Sequence, residues 1–362
     1  KWKGWLYRII AILIAFIISL TIASIVVKDS PFNVIKYIFQ GALTKNKNQK
    51  LPWKLFLDTS VLLCFGIAIV PPFKMKYWNM GANGQVLIGT LASIVIMFKL
   101  ANFGHQSSFN NVLVIILMFI ASVVASVIWA LIPALFKSFF NTNETLFTLM
   151  MNYIAGALVS YTNYVLAKGK QESPGIVNMS NKVGWLLPQA QNKYILPILI
   201  IIAITVIIYF YMAKTKQGYE ISVVGDSINT AKYVGMNTKF IIIRTLIISG
   251  IITGILGFIY ASSINHSMSA VAVGSLGFTG VLIAWLSNFN PLIMALVSLF
   301  LSFITLGTSK VSSKYLLGSN NLSNVIIGLI FFAILISEFF IRYVVKFRKK
   351  KHLKNNKEVE TC

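Results

Sequence analysis

Acidic residues are scarce in this chain: 9 of 362 residues are Asp or Glu, against 32 Lys and Arg. They are Asp29, Asp58, Glu144, Glu172, Glu220, Asp226, Glu338, Glu358 and Glu360, and only Asp58 and Glu338 fall near an apolar run, each close to its end. Glu338 has Arg342 one turn later, a pairing that needs no function. Transporters driven by protons or sodium usually carry acids or histidines inside their spans. Here the three histidines, His105, His266 and His352, sit in loops or in the tail. Cysteine is almost absent: Cys64 lies in an apolar run and Cys362 is terminal, which excludes a disulfide framework and a Cys-based metal site. No Gly-rich phosphate loop followed by Lys and Ser or Thr occurs, so ATP hydrolysis by this chain is not expected. Neither a nucleophile–base pair nor a metal-ligand grouping is visible. The expectation is a non-enzyme with no catalytic residue, no metal site and no cofactor of its own.

What the chain has in excess is apolar length. With 57% hydrophobic residues, 11% charged and a mean hydropathy of +0.77, it is far from an ordinary soluble domain. Several separate runs are long enough to span a bilayer, which predicts an all-α polytopic membrane protein. The net charge of +23 gathers beside these runs, so it reads as membrane orientation rather than nucleic-acid binding.

In order, the expected spans are Leu6–Val27, Leu55–Val70, the run after Gln85 ending near Phe98, Val112–Phe136, Leu146–Ala167, Ile195–Ala213, Ile241–Ala261, a short Leu276–Leu286, Leu292–Leu306 and Leu322–Val345. Lys1–Arg8 and the following run lack a small-residue cleavage site and read as a first span starting inside. Lys28–Lys54 is lysine-rich although it falls outside, against the positive-inside bias; Lys74 and Lys76 place the end of the second span, after Pro71-Pro72, inside. Ten crossings with both ends cytoplasmic is the self-consistent count. The chain divides into a first helix and extracytoplasmic segment (1–54), a membrane-spanning body (55–345) and a basic tail (346–362).

One polar interval, Lys214–Lys239, separates two spans in the second half and falls on the cytoplasmic side. Within it Ser227 can cap a short helix over Ile228–Val234, and Gly235 can end it. Small residues and an apolar side, ringed by lysines, suit a helix that a partner protein presses on. A second stretch, Asn79–Gln85 (NMGANGQ), sets Gly81 and Gly84 among amides at membrane depth, where polar groups are satisfied by protein or line a cavity. Asn79, Asn83, Gln85, Asn152, Tyr153 and Asn288, with Trp285 as a stacking surface, are candidate path-lining groups for a neutral, hydroxylated, flat solute. The competing reading of these amides is that they tie helices together. MGANGQVLIGTLAS and LGFTGVLIAWLS share Gly-x-x-Gly before an apolar run and enter from opposite sides, a faint inverted repeat.

Three motifs carry a family resemblance. NMGANGQ (Asn79–Gln85) resembles the N-[IM]-G-A-E-G-Q signature of permease subunits from nucleoside ABC importers, within the group of branched-chain amino acid and simple sugar permeases. NETLFTLMMNYIA (Asn143–Ala155) and GYEISVVGDSINTAKYVGM (Gly218–Met236) are similar to that family's later motifs, in the same order. The match covers about Thr59 to Val345. Departures are Asn83 for the usual acid, Ser222 for the usual Arg, and Ser227-Ile228 for the usual Asn-Pro. The resemblance implies a type II ABC importer permease fold of ten helices, coupled to an ATPase through Gly218, Tyr219, Glu220, Gly225, Ser227, Ala231, Tyr233 and Gly235. It also implies a second permease subunit, an extracytoplasmic substrate-binding lipoprotein, and a location in the cytoplasmic membrane. ATP and Mg²⁺ would be held by the ATPase, and the cargo would be a nucleoside. A simple-sugar permease and an ATP-independent transporter or channel are the alternatives.

Overall fold

The structure, a computed structural model, describes residues 2–43, 51–100, 108–167, 175–179, 181–186, 194–315, 324–329, 332–333 and 336. Among them the regular elements are all helices: α1 (Trp2–Val27), α2 (Pro31–Leu43), α3 (Leu51–Lys74), α4 (Ala82–Lys99), α5 (Ser108–Phe140) and α6 (Glu144–Leu166). The second half adds α7 (Ile195–Lys214), α8 (Lys216–Asp226), α9 (Ile228–Tyr233), α10 (Thr238–Ile259), α11 (Leu276–Leu286) and α12 (Pro291–Lys314). Six of the described helices are long and apolar enough to cross a membrane, or seven if α1 and α2 count as one broken span. The 23-residue α6 is more polar than these, with Asn152, Thr162 and Asn163 in it, and α11 has only 11 residues. The last expected span, Leu322–Val345, falls mostly outside the described residues, as do Glu338, Arg342 and the basic tail; its described residues, 324–329, 332–333 and 336, are helical.

Several boundaries differ from the sequence reading: α5 (Ser108–Phe140) extends past Val112–Phe136 at both ends, α12 continues past Leu306 to Lys314, and two further differences have a local cause. The lysine-rich interval after α1 contains a helix, α2, set at 101° to α1, which buries Val34, Ile38, Gly41 and Ala42 and packs on α12 through Ile38 and Gly41. Its buried face is only four residues wide, and that is too little apolar periodicity to stand out among the lysines. The second span, expected to stop before Pro71-Pro72, instead runs on to Lys74. A proline removes its own N–H but keeps its carbonyl. The carbonyl of Pro72 therefore accepts from Tyr77 N (2.9 Å), while Lys76 N donates to Phe73 O (2.9 Å). With Lys76 at φ +58° these bonds form a Schellman end in which lysine holds the position that glycine usually takes.

The centre is α4, α5 and α10, knitted at small residues. A Cβ on Gly254 would come within 2.7 Å of Val123 Cα on α5, and one on Gly257 within 2.8 Å of Thr90 N on α4. Close approach brings hydroxyls onto neighbouring backbones: Ser122 donates to Gly254 O (2.7 Å), Thr90 to Gly257 O (3.2 Å) and Ser93 to Met118 O (3.0 Å). Such packing substitutes for the hydrophobic effect, which is weak between helices in lipid. α10 continues into a π turn, Tyr260–Ile264, and the chain then returns through 265–275 to start α11.

Candidate functional site

The docking interval folds as two short helices joined at Ser227. Thr215 caps α8 by accepting from Gly218 N (3.1 Å), and the turn from α7 is so tight that a Cβ on Gly218 would lie 2.5 Å from Tyr211 O. Ser227 takes an extended conformation between the helices, and its hydroxyl accepts from Thr230 N (3.2 Å), as its position predicts. At the other end Gly235 has φ +80°; Gly235 N donates to Lys232 O and Met236 N to Ala231 O, both at 3.0 Å, a complete Schellman motif. The helix is Ile228–Tyr233, with Val234 as its C-cap, one residue shorter than the sequence reading.

This unit has an inner and an outer side. Ile221, Val224 and Ala231 are buried in a small cluster of their own with Met75, Tyr77, Ala134, Ile241 and Leu246, separate from the main core. Gly225 lies so close to the end of α3 that a Cβ there would come 1.9 Å from the Lys74 carbonyl. Glu220 pairs with Arg244 of α10 at 2.9 Å. On the outer side Tyr219, Ile228, Val234 and above all Tyr233, 88% exposed, are uncovered. A cavity of about 550 Å³ opens beside them between Met75–Tyr77, the Lys137–Glu144 ion pair (2.8 Å), Asp226 and Ile242. The ends of α3 and α5 and the starts of α6 and α10 thus share one end of the bundle with α8 and α9.

The Asn79–Gln85 stretch lies deeper. Asn79 is buried; its oxygen accepts from Gly81 N (3.0 Å) and its nitrogen donates to Ser249 Oγ (3.3 Å). Ser249 is half-way along α10, roughly 16 Å from its start at about 1.5 Å per residue. So α4 starts in the middle of the bundle. Asn152 of α6 spans the turn, accepting from Gly84 N and donating to Met80 O, both at 2.8 Å. Gln85 accepts from the Thr253 hydroxyl (3.2 Å), and its backbone carbonyl accepts from Ser126. Asn83 reaches α11: its oxygen accepts from Gly277 N (2.7 Å) and its nitrogen donates to Gly274 O (3.2 Å).

Consequently α4 and α11 begin side by side, and the helices run apart, α4 along α10 and α11 toward the docking end. Each N-terminus carries a partial positive charge, and the residue between them is a neutral amide. Asn79, Gly81, Asn83, Gly84, Gln85 and Asn152 form one connected knot. Tyr153 (70% exposed) lies outside it, as do Trp285, which stacks edge-on against Trp78 (5.7 Å), and Asn288, which turns the chain at φ +49° before α12. No group of three potential metal ligands occurs among the described residues.

Sequence reasoning missed the receiving side of these contacts: Arg244, Ser249, Thr253 and Trp78. Arg244 left a signal, an arginine second-turn deep in an apolar helix; the hydroxyls of α10 left none.

Comparison with known proteins agrees with this architecture. The family model described as "branched-chain amino acid transport system / permease component" matches residues 54–335. The chain is 26% identical to the guanosine ABC transporter permease of Bacillus subtilis, over 79% of this chain and 81% of that one. It is 24% identical to the glucose ABC transporter permease of Haloferax volcanii, over 78% of this chain and 76% of that one. With a nucleoside ABC transporter permease of Lactococcus lactis it shares 22% identity, over 68% and 69% of the respective chains. No solved structure matches. Helical architecture, apolar spans and a match over most of its length establish that this multi-pass membrane chain belongs to the branched-chain amino acid transport system permease component family.

Proposed function

We propose that the chain is the permease subunit of an ATP-driven importer of nucleosides in the cytoplasmic membrane. The single observation that carries this reading is the α8–α9 unit. It is capped at both ends, bedded on its own apolar cluster, and presents Tyr219, Tyr233 and Val234 uncovered at one end of the bundle. A solvated loop needs no such construction; a surface that receives force does. The partners are a cytoplasmic ATPase on that face, a second permease and an extracytoplasmic binding lipoprotein. ATP and Mg²⁺ stay in the ATPase, and no cofactor belongs to this chain. Gly218, Tyr219, Glu220, Gly225, Ser227, Ala231, Tyr233 and Gly235 form the coupling element of a body reaching from 55 to 345.

The ten-crossing topology with both termini inside accommodates α11 as a half-length crossing. The meeting of α4 and α11 at Asn83 supports the inverted-repeat reading, because helices that begin together inside the bundle and run apart are its expected geometry. Alternating access would then open and close around this knot, with Asn79, Gly81, Asn83, Gly84, Gln85, Asn152, Tyr153, Trp285 and Asn288 along the path.

Nucleoside cargo is supported by relatives named for guanosine and nucleosides, and a simple-sugar cargo by the relative named for glucose. Uptake of labelled guanosine and uridine by cells carrying the complete system, with excess ribose or glucose as competitor, separates them. Nucleoside uptake that sugars leave unchanged is expected; sugar uptake that nucleosides fail to reduce favours the second reading. Concentrative uptake that persists after ATP depletion at constant membrane potential would overturn both.

A further inference from the structure

Residues 75–81 join the end of α3 to the start of α4, and they touch both halves of the site. At one end the connector belongs to the docking unit. Met75 and Tyr77, 5% and 3% exposed, pack in the cluster that holds Ile221, Val224 and Ala231, and the Lys74 carbonyl just before it lies under Gly225. At the other end it belongs to the knot: Asn79 bonds Ser249, and Met80 N donates to the Thr148 hydroxyl (3.1 Å). Between them Trp78 stacks on Phe73 (5.1 Å) behind it and on Trp285 (5.7 Å) in the last turn of α11. The Schellman bonds from Lys76 N and Tyr77 N back to α3 leave no slack at the start of the connector.

We infer that residues 75–81 are the transmission element that carries displacement of α8–α9 to the α4–α11 junction, with Trp78 as its positioning residue. The inference rests on the ATP-driven importer reading. Gly225 packs directly on the end of α3, where a Cβ would fall 1.9 Å from the Lys74 carbonyl and 3.1 Å from Met75 Cα, so displacement of α8 toward α3 presses on the point where the connector begins. The connector in turn holds both helices that start at the knot, α4 directly through the chain and α11 through Trp285. Packed elements of this kind shift between discrete arrangements rather than deform continuously.

The test uses the complete importer, purified with its ATPase and binding lipoprotein and reconstituted in vesicles. Three quantities are read: ATPase co-purification, ATP hydrolysis, and solute imported per ATP. Trp78→Ala is expected to retain the ATPase and its hydrolysis while solute per ATP falls about three- to thirtyfold. Trp78→Phe, which keeps a ring against Trp285, is expected to recover most of it. Val224→Ala, on the docking side, is expected to lower the same ratio, and the double variant to lose less than the product of the single losses. Unchanged solute per ATP in Trp78→Ala, or multiplicative losses in the double variant, overturns the inference. If Trp78→Ala fails to insert, the same comparison is made with Trp78→Leu. Failure of the wild-type chain to co-purify an ATPase would instead sink the importer reading itself.

Discussion

Asn83 holds Gly277 by a 2.7 Å hydrogen bond from the glycine N–H to its side-chain oxygen, and a Cβ on Gly277 would fall 2.6 Å from that same oxygen. The two residues are far apart in sequence, and each fixes the other's identity: an amide on one side, no side chain on the other. Asn83→Ala leaves the buried Gly277 N–H without a partner and should cost roughly 1–3 kcal/mol. Asn83→Asp loses the bond to Gly274 O but keeps the acceptor for Gly277 N and adds a negative charge at two helix N-termini, so it should cost less. Thermal unfolding in detergent checks the order: the alanine variant is expected to melt below the aspartate variant.

Much of this architecture is written locally, and what is not local was not legible. Ser227 and Gly235 act on backbone groups within a few residues of themselves, so the sequence alone located α9 to within one residue. The knot around Asn79–Gln85 was visible as a cluster of amides, but its partners, Ser249, Thr253, Asn152 and Gly277, are brought in by helix packing. Whether an amide lines a path or ties helices depends on those partners, which is why both readings stood open. Every oxygen and nitrogen that Asn83 and Asn152 offer is engaged with backbone. Separation of α4 from α11 therefore requires those bonds to exchange. The helix α2 was hidden for the opposite reason, a narrow buried face in a charged interval.

Gly235 offers an unusually clean test of backbone conformation. Nothing lies within 4 Å of where its Cβ would be, so a substitution meets strain and not crowding. Gly235→Val should cost about 1–2 kcal/mol at this left-handed position, enough to unwind a six-residue helix. Asparagine tolerates the conformation, so Gly235→Asn should behave nearly as wild type. Uptake lost in the valine variant, retained in the asparagine variant, with membrane insertion equal in both, is the expected pattern.

Glu220 and Arg244 tie α8 to α10 with side chains that are 18% and 17% exposed, and Arg244 also donates to Gln217 O (3.4 Å). Arg244→Met strands the Glu220 carboxylate and should destabilise by roughly 1.5–3 kcal/mol. Glu220→Gln keeps an oxygen to accept the bond and should cost less. Limited proteolysis at 215–235 reports the loosening: faster cleavage in Arg244→Met than in Glu220→Gln is expected.

At the far end of the bundle, the Tyr315 hydroxyl donates to Asp29 where α1 turns into α2. That bond, then those from the Asn33 amide and Ser30 N–H, hold the Asp29 carboxyl below its ordinary 3.8, while the Tyr315 phenol is pushed up to about 12. A carboxyl lowered in the folded state stabilises above its unfolded value, and that contribution is lost as pH falls through the lowered one. The difference in melting temperature between wild type and Tyr315→Phe should therefore be constant between about pH 5 and 8 and shrink under stronger acid. A difference that grows on acidification would contradict the bond.

The side of the membrane on which α9 lies decides between force received from a cytoplasmic ATPase and any other use of this helix. Asn229 is exposed on α9, and Cys64 is buried. In a Cys362→Ser background, Asn229→Cys gives a thiol that an impermeant maleimide reaches from one side. No labelling in intact cells, and full labelling once the membrane is opened, is the predicted result. Labelling of intact cells at the same rate as opened ones would place the helix outside and contradict ATP-driven coupling through it.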